Sequence, residues 1–133
     1  MAMAADNHDA GRPADRQRIL IVDDEFDFTA IYETLFQLHG YDVQIASNGR
    51  EALELARASA PDIVLSDYMM PVMDGVQLLL AWRADPRLQH IPFILNSAGK
   101  NLQDTPLPFD AFFIKPAKFA VVLETVRKLT QAK

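Results

Sequence analysis

The chain has 133 residues, of which 50% are hydrophobic and 23% are charged, the composition of a single globular domain that can bury its own core. With 13 basic and 18 acidic side chains its formal charge is −5, which argues against sequence-independent binding of nucleic acid. The absence of cysteine excludes a disulfide framework, a thiolate nucleophile and a zinc finger, and no apolar run approaches the roughly 20 residues of a membrane-spanning helix.

The N-terminal segment is small, polar or charged and has no hydrophobic periodicity. We therefore expect a flexible tail over residues 1–17, followed by one domain over 18–133. The tail lacks the apolar stretch of a secretory signal, which favours a cytoplasmic location without membrane insertion. Because little chain follows the last predicted helix, we expect a single-domain protein with no attached output domain.

Apolar runs and helical patterns alternate from Arg18 onward. Runs rich in β-branched and aromatic residues predict strands at 19–22, 41–45, 63–65, 93–95 and 112–114. Apolar residues at helical spacing predict helices between them: one ended by Gly40, one capped by Asn48, one capped by Asp74 and one following Pro116.

This alternation implies parallel strands in an α/β layer structure. Right-handed crossovers then place helices on both faces of the sheet. A five-stranded chain of this kind is most often doubly wound and flavodoxin-like, with strand order 2-1-3-4-5. The second predicted strand alternates apolar and polar residues, which fits its place at an edge in that order.

Chemically active side chains follow four of the five predicted strands: Asp23 and Asp24 the first, Asp67 the third, Ser97 the fourth and Lys115 the fifth. The carboxyl ends of parallel strands lie along one edge, and the first and third strands flank the switch point where ligands bind. Any one of these residues could simply cap a turn or a helix, but capping does not require three acids beside a lysine.

The donor types in this set indicate the chemistry. Oxygen-only ligands favour a hard cation such as Mg²⁺, which also takes phosphate oxygens. A lysine ammonium pairs with a phosphoryl oxygen, and a serine hydroxyl can hydrogen-bond another. The pattern therefore predicts a site for Mg²⁺ and a phosphoryl group, with one aspartate as the candidate acceptor.

Four motifs carry a family resemblance: ILIVDDE at 19–25, VLSDYMMPVMDG at 64–75, Ser97-Ala98, and FIKP at 113–116. In this order and spacing, the sequence from about residue 18 to 131 resembles the CheY-like receiver domain of bacterial two-component response regulators. The resemblance implies a phosphoacceptor that switches conformation and is not a turnover enzyme. It implies a sensor histidine kinase or a histidine phosphotransfer protein as phosphodonor, and a downstream protein partner that the sequence does not identify.

The resemblance also assigns the metal ligands. Asp24 matches the direct Mg²⁺ ligand, and Asp23 matches the acid that often assists through water. Asp67 and the backbone carbonyl of Met69 complete the implied set, whereas Asp74 is expected to cap a helix and not to bind metal.

The phosphoryl and switch positions follow from the same motifs. Asp67 matches the phosphorylated aspartate, Ser97 the residue that contacts the phosphoryl group, and Lys115 the lysine that pairs with it. Phe112 matches the aromatic residue that changes rotamer together with Ser97. Pro116 matches a proline that the family holds in a cis peptide.

The sequence departs from the family between Ser97 and Lys115. This stretch is about one helical turn shorter than usual, and Pro106 and Pro108 interrupt it. The fourth helix of the family is therefore predicted to be short or absent. Met69 and Gly99 flank the expected phosphoryl position. The bulky Met69 should hinder the attacking water and Gly99 has no side chain to orient it, so hydrolysis of the phosphorylated aspartate should be slow.

Two other functions fit parts of the pattern. The altered fourth helix leaves open a receiver-shaped interaction module that signals without phosphorylation. An α/β phosphatase with an aspartate nucleophile is the second alternative. Such enzymes place nucleophile and acid two residues apart after one strand, whereas here Asp23 and Asp24 are adjacent and Asp67 follows another strand.

Overall fold

The computed structural model describes residues 16–131 as one parallel sheet covered by helices on both faces. Its strands are β1 (Arg18–Val22), β2 (Asp42–Ala46), β3 (Ile63–Asp67), β4 (Phe93–Ser97) and β5 (Ala111–Ile114). Its helices are α1 (Phe26–Leu38), α2 (Gly49–Ala58), α3 (Gly75–Ala84) and α4 (Phe119–Gln131). The strand order β2-β1-β3-β4-β5 confirms the predicted doubly wound, flavodoxin-like fold.

The three central strands are buried along their whole length, because each carries apolar side chains to both faces. In β1, Ile19 and Ile21 face α1 and α4, while Leu20 and Val22 face α2 and α3. Two separate apolar cores result, one on each face of the sheet. The predicted edge position of β2 is confirmed, and four of its five residues are only half-buried.

The predicted helix caps are present. The Asn48 side chain accepts a hydrogen bond from the Glu51 amide at the start of α2. Asp74 and Gln77 form a reciprocal capping box at the start of α3. Gly40, two residues beyond α1, adopts a positive φ of 89°, which a glycine tolerates without strain.

Most of the predicted tail, residues 1–15, lies outside the described residues. At its end, the Gln17 carbonyl accepts a hydrogen bond from the Asp42 amide at 2.9 Å. Among residues 16–131, no helix is long and apolar enough to span a membrane.

Residues 98–110, all of them described, connect β4 to β5 without a helix. The prediction of a short or absent fourth helix is therefore confirmed. Leu102 is buried, and Leu107 and Phe109 pack against the core beneath α2 and α3. The segment is irregular, but its three large apolar residues attach it to the core.

Arg83 of α3 clamps the end of this segment. Its guanidinium donates to the carbonyls of Pro108, Gln89 and Ile91 and to the carboxylate of Asp110, at 2.6–3.0 Å. The same Asp110 oxygen accepts the Phe93 amide at 2.7 Å. A single side chain thus joins α3, the α3–β4 connection and the chain entering β5.

Replacing this clamp tests its contribution. Arg83→Ala should lower the free energy of unfolding by about 1–3 kcal/mol, because it removes hydrogen bonds to a charged group and exposes their acceptors. Arg50→Ala is the matched control, since Arg50 and Glu54 form a 3.9 Å pair with both side chains largely exposed. That pair should contribute at most about 0.5 kcal/mol. Equal losses for the two variants in urea denaturation would contradict the clamp.

Candidate functional site

The site lies at the carboxyl edge of the sheet, where β1, β3 and β5 end. One carboxylate oxygen from each of Asp23, Asp24 and Asp67 lies within 4.8 Å of the others. Asp23 and Asp67 are buried, whereas Asp24 is exposed. The structure therefore brings together the three acids that follow the first and third strands.

Lys115 reaches this cluster from the end of β5. Its Nζ lies 2.6 Å from Asp23 Oδ2, 3.4 Å from Asp67 Oδ1 and 3.6 Å from Glu25 Oε1. Burial of the ammonium opposes its charge, but the hydrogen bond to Asp23 and the three nearby carboxylates outweigh it and raise the pKa of Lys115. Lys115 is therefore a firmly charged counter-ion to the acids.

Asp23 is held at both carboxylate oxygens. Oδ1 accepts the Glu25 amide at 2.9 Å, and Oδ2 accepts Lys115 Nζ. Its own amide donates to the Ala46 carbonyl at 3.1 Å. Asp23 is thus fixed in place by β2, the β1–α1 turn and Lys115.

Asp67 behaves differently because burial and repulsion dominate its environment. Burial, followed by the charge of Asp23, raises the pKa of Asp67 from 3.8 to about 6, although Lys115 acts in the opposite direction. A cation bound beside Asp67 would favour its ionised form and so lower this pKa again.

Gly75 allows α3 to start directly against the end of β3. A Cβ at Gly75 would lie 2.2 Å from the Asp67 carbonyl oxygen and 2.9 Å from Tyr68 Cα, so no side chain fits there. The Gly75 amide donates to the Tyr68 carbonyl at 2.7 Å. This close approach fixes the backbone on which Asp67 is carried.

The loop between β3 and α3 is tight and strained. Val72 has a φ of 70°, unusual for a β-branched residue, and the Met73 amide donates to the Pro71 carbonyl at 2.7 Å across it. The Gly49 amide at the start of α2 donates to the Met73 carbonyl at 3.0 Å. Helices α2 and α3 therefore both hold the loop that follows Asp67.

The predicted switch residues lie on β4 and β5. Ser97 is fully buried, and its hydroxyl oxygen accepts the Lys100 amide at 3.2 Å. Phe112 is half-buried, and its ring centroid lies 5.6 Å from that of Phe109. Both residues thus contact the irregular 98–110 segment.

Other sequence-predicted residues have separate positions. The side chain of Met69 is exposed, and its thioether is a poor ligand for a hard cation, so only its backbone carbonyl could serve the candidate metal site. The Lys115–Pro116 peptide is cis. Asp74 is a helix cap, as predicted.

Sequence reasoning missed two neighbours of Lys115. Glu25 follows Asp23 and Asp24 directly, and this run of acids was the signal that could have placed it at the site. Phe28 lies beneath the ammonium, with its ring centroid 4.4 Å from Nζ. Its place in the apolar stripe of α1 indicated only a core residue.

Comparisons with known proteins identify the class of this domain. The sequence model described as the response regulator receiver domain matches residues 19–127. The chain therefore belongs to the response regulator receiver domain family, whose fold and strand order it shares.

Individual relatives agree with this assignment. The chain is 35% identical over 120 residues to the response regulator PleD of Caulobacter vibrioides, covering 87% of this chain and 26% of that protein. It is 34% identical over 116 residues to the transcriptional regulatory protein PrrA of Mycobacterium tuberculosis, covering 84% and 49%. The chain thus spans between a quarter and a half of the length of these relatives.

A solved structure shows the same architecture. The signal receiver domain of a signal transduction histidine kinase from Syntrophus aciditrophicus superposes with a TM-score of 0.81 at 31% identity. The match covers 87% of this chain and 91% of that one.

The raised pKa of Asp67 predicts a pH-dependent stability. Folded Asp67 binds its proton more tightly than unfolded Asp67, so its contribution to stability is lost as the pH rises from about 4 to about 6, by at most on the order of 3 kcal/mol. With a chelator present, Asp67→Asn should raise the free energy of unfolding near pH 7 and not near pH 4.

The exposed Asp104, which lies outside any helix, offers a control, and Asp104→Asn should change stability little at either pH. Urea denaturation of the three proteins at both pH values measures the effect. A gain for Asp67→Asn that is the same at both pH values would contradict the account of Asp67.

Proposed function

We propose that this receiver domain accepts a phosphoryl group on Asp67 from a phosphohistidine of a sensor histidine kinase or phosphotransfer protein, and that Mg²⁺ is required. The observation that carries the proposal is the position of the buried Asp67 carboxylate, which lies beside the Lys115 ammonium and close to two further aspartates. Membership of the receiver family supports the same function. The domain is proposed as a signalling phosphoacceptor and not as a turnover enzyme.

The acidic cluster fits Mg²⁺ by its chemistry. Asp23, Asp24 and Asp67 offer only oxygen donors, and their mutual repulsion favours a hard divalent cation. The exposed Asp24 is proposed as the direct ligand and Asp23 as one acting through water, with the Met69 carbonyl completing the set. When bound, Mg²⁺ supplies positive charge that offsets the acids and the incoming phosphoryl oxygens.

The protein's own side chains account for the transfer. A carboxylate oxygen of Asp67 attacks phosphorus, forming an O–P bond as the N–P bond to the donor imidazole breaks. The Lys115 ammonium, now paired with Asp23 and near Asp67, is placed to bind a phosphoryl oxygen. The Ser97 hydroxyl can donate a hydrogen bond to a second phosphoryl oxygen, while its own oxygen still accepts the Lys100 amide.

This last contact suggests how the signal leaves the site. A movement of Ser97 toward the phosphoryl group would pull the backbone of Lys100 through this hydrogen bond and would thereby shift the start of the 98–110 segment. Phe112 touches Phe109 near the end of the same segment. We therefore propose that residues 98–110 form the switch, taking the place of the family's fourth helix.

Phosphorylation at Asp67 can be tested directly. Incubation with acetyl phosphate and Mg²⁺ should add the mass of one phosphoryl group, and chelation of Mg²⁺ should abolish the addition. Asp67→Asn should not be labelled, whereas Asp27→Asn, an exposed acid outside the cluster, should be labelled normally. Labelling of Asp67→Asn at the wild-type rate in intact-mass spectra would refute the acceptor assignment.

Two other results would favour the alternatives. A wild-type chain that binds a partner but is never labelled would indicate a module that signals without phosphorylation. Sustained hydrolysis of a phosphate monoester would indicate a phosphatase.

The proposed switch predicts a local change in dynamics. Hydrogen exchange of the free and phosphorylated forms should differ most at the amides of 98–110, since this segment contains no helix and most of its residues are exposed. Ser97→Ala should reduce the difference, because the hydroxyl is the link between phosphoryl group and segment. Equal protection of 98–110 in both forms would contradict the switch.

A further inference from the structure

The Lys115 ammonium has an aromatic face on one side and carboxylates on another. Its side chain is only 13% exposed, and Nζ lies 4.4 Å from the centroid of the Phe28 ring. A cation within about 6 Å of a ring centroid is attracted by the negative face of the ring. Phe28 and Asp23 therefore hold the same ammonium from different elements.

The Phe28 ring is itself fixed by an aromatic layer between α1 and α4. It stacks on Tyr32 with centroids 4.2 Å apart and planes inclined by 27°. Tyr32 in turn meets Phe119 of α4 edge-on, at 5.4 Å and 90°. The ring that Lys115 contacts is thus packed against Tyr32, which is packed in turn against α4.

We propose that Phe28 is a positioning residue for Lys115, holding its ammonium by a cation–π contact at the place where the phosphoryl group arrives. The rate effect of this role rests on the proposed phosphorylation of Asp67, whereas the contact itself does not. Lys115 has a long, flexible side chain, and fixing it before the reaction avoids an ordering cost during transfer.

A neutral ring suits this task better than a further acid would. A carboxylate in place of Phe28 would attract Lys115 but would also repel the phosphoryl oxygens. The ring attracts the ammonium without adding negative charge and accepts no conventional hydrogen bond, so the N–H donors of Lys115 stay available for phosphoryl oxygens. Phe28 therefore orients the cation without competing for it.

The decisive variant keeps the shape of the ring and changes its charge distribution. Pentafluorophenylalanine at position 28 preserves most of the packing but reverses the polarity of the ring face. It should slow labelling by acetyl phosphate about threefold to tenfold, and Phe28→Leu should slow it similarly, as expected for loss of a partly desolvated cation–π contact. Phe28→Tyr, which retains an electron-rich ring, should label at close to the wild-type rate.

Phe93 provides the matched control, because it is an aromatic residue of the core on the other face of the sheet and contacts Trp82 edge-on. Pentafluorophenylalanine at position 93 should leave the labelling rate unchanged. A wild-type rate for the fluorinated Phe28 protein, or equal slowing by fluorination at 28 and 93, would overturn the proposal in favour of ordinary packing.

A second measurement does not depend on phosphorylation. The ring current of Phe28 should displace the proton resonances of the Lys115 ε-methylene from their random-coil position, and Phe28→Leu should return them toward it. Failure of the wild-type chain to be labelled would reject the proposed function while leaving this shift in place. Normal labelling with an unshifted wild-type Lys115 resonance would reject the role of Phe28 alone, and that observation decides the matter even if a variant fails to fold.

Discussion

The mutual repulsion of carboxylates gathered at the end of a buried sheet is the constraint on which this site depends. Asp23 and Asp67 end adjacent central strands, so the fold gives them no freedom to separate. Lys115 follows the edge strand β5, which β4 separates from β3, and its ammonium offsets part of that repulsion. The two acids therefore differ. Asp23 is paired with Lys115 and fixed, whereas the pKa of Asp67 stays raised, so that a nearby positive charge would stabilise its ionised form.

The surrounding backbone prevents the carboxylates from moving apart to relieve their repulsion. Gly75 lets α3 press against the carbonyl of Asp67, and the turn at Val72 is forced into a rarely occupied conformation between two helix starts. Backbone strain of this kind persists only where neighbouring structure over-determines it. Packing of the two apolar cores thus stabilises the strained loop at Val72 and the clustered acids, which would be unfavourable by themselves.

Much of this architecture could be predicted from the sequence, for identifiable reasons. Continuous β-branched runs mark strands buried on both faces, and Asn48 and Asp74 mark helix starts through local hydrogen bonds. The convergence of acids follows from the parallel topology alone. The contacts of Phe28 and Arg83 could not be predicted, because they join elements far apart in the chain through side-chain geometry that leaves no periodic signal.

The Arg83 clamp also determines where the chain can change in length. Between the anchored ends of the irregular segment, residues 103–105 form an exposed turn beyond the buried Leu102. Extra residues at that turn would add only loop-closure entropy, about 0.6 kcal/mol for each doubling of loop length. An insertion at Asp110 would instead shift the carboxylate that Arg83 and β4 share. The molecule therefore carries, at this exposed turn, a natural grafting point for foreign sequence.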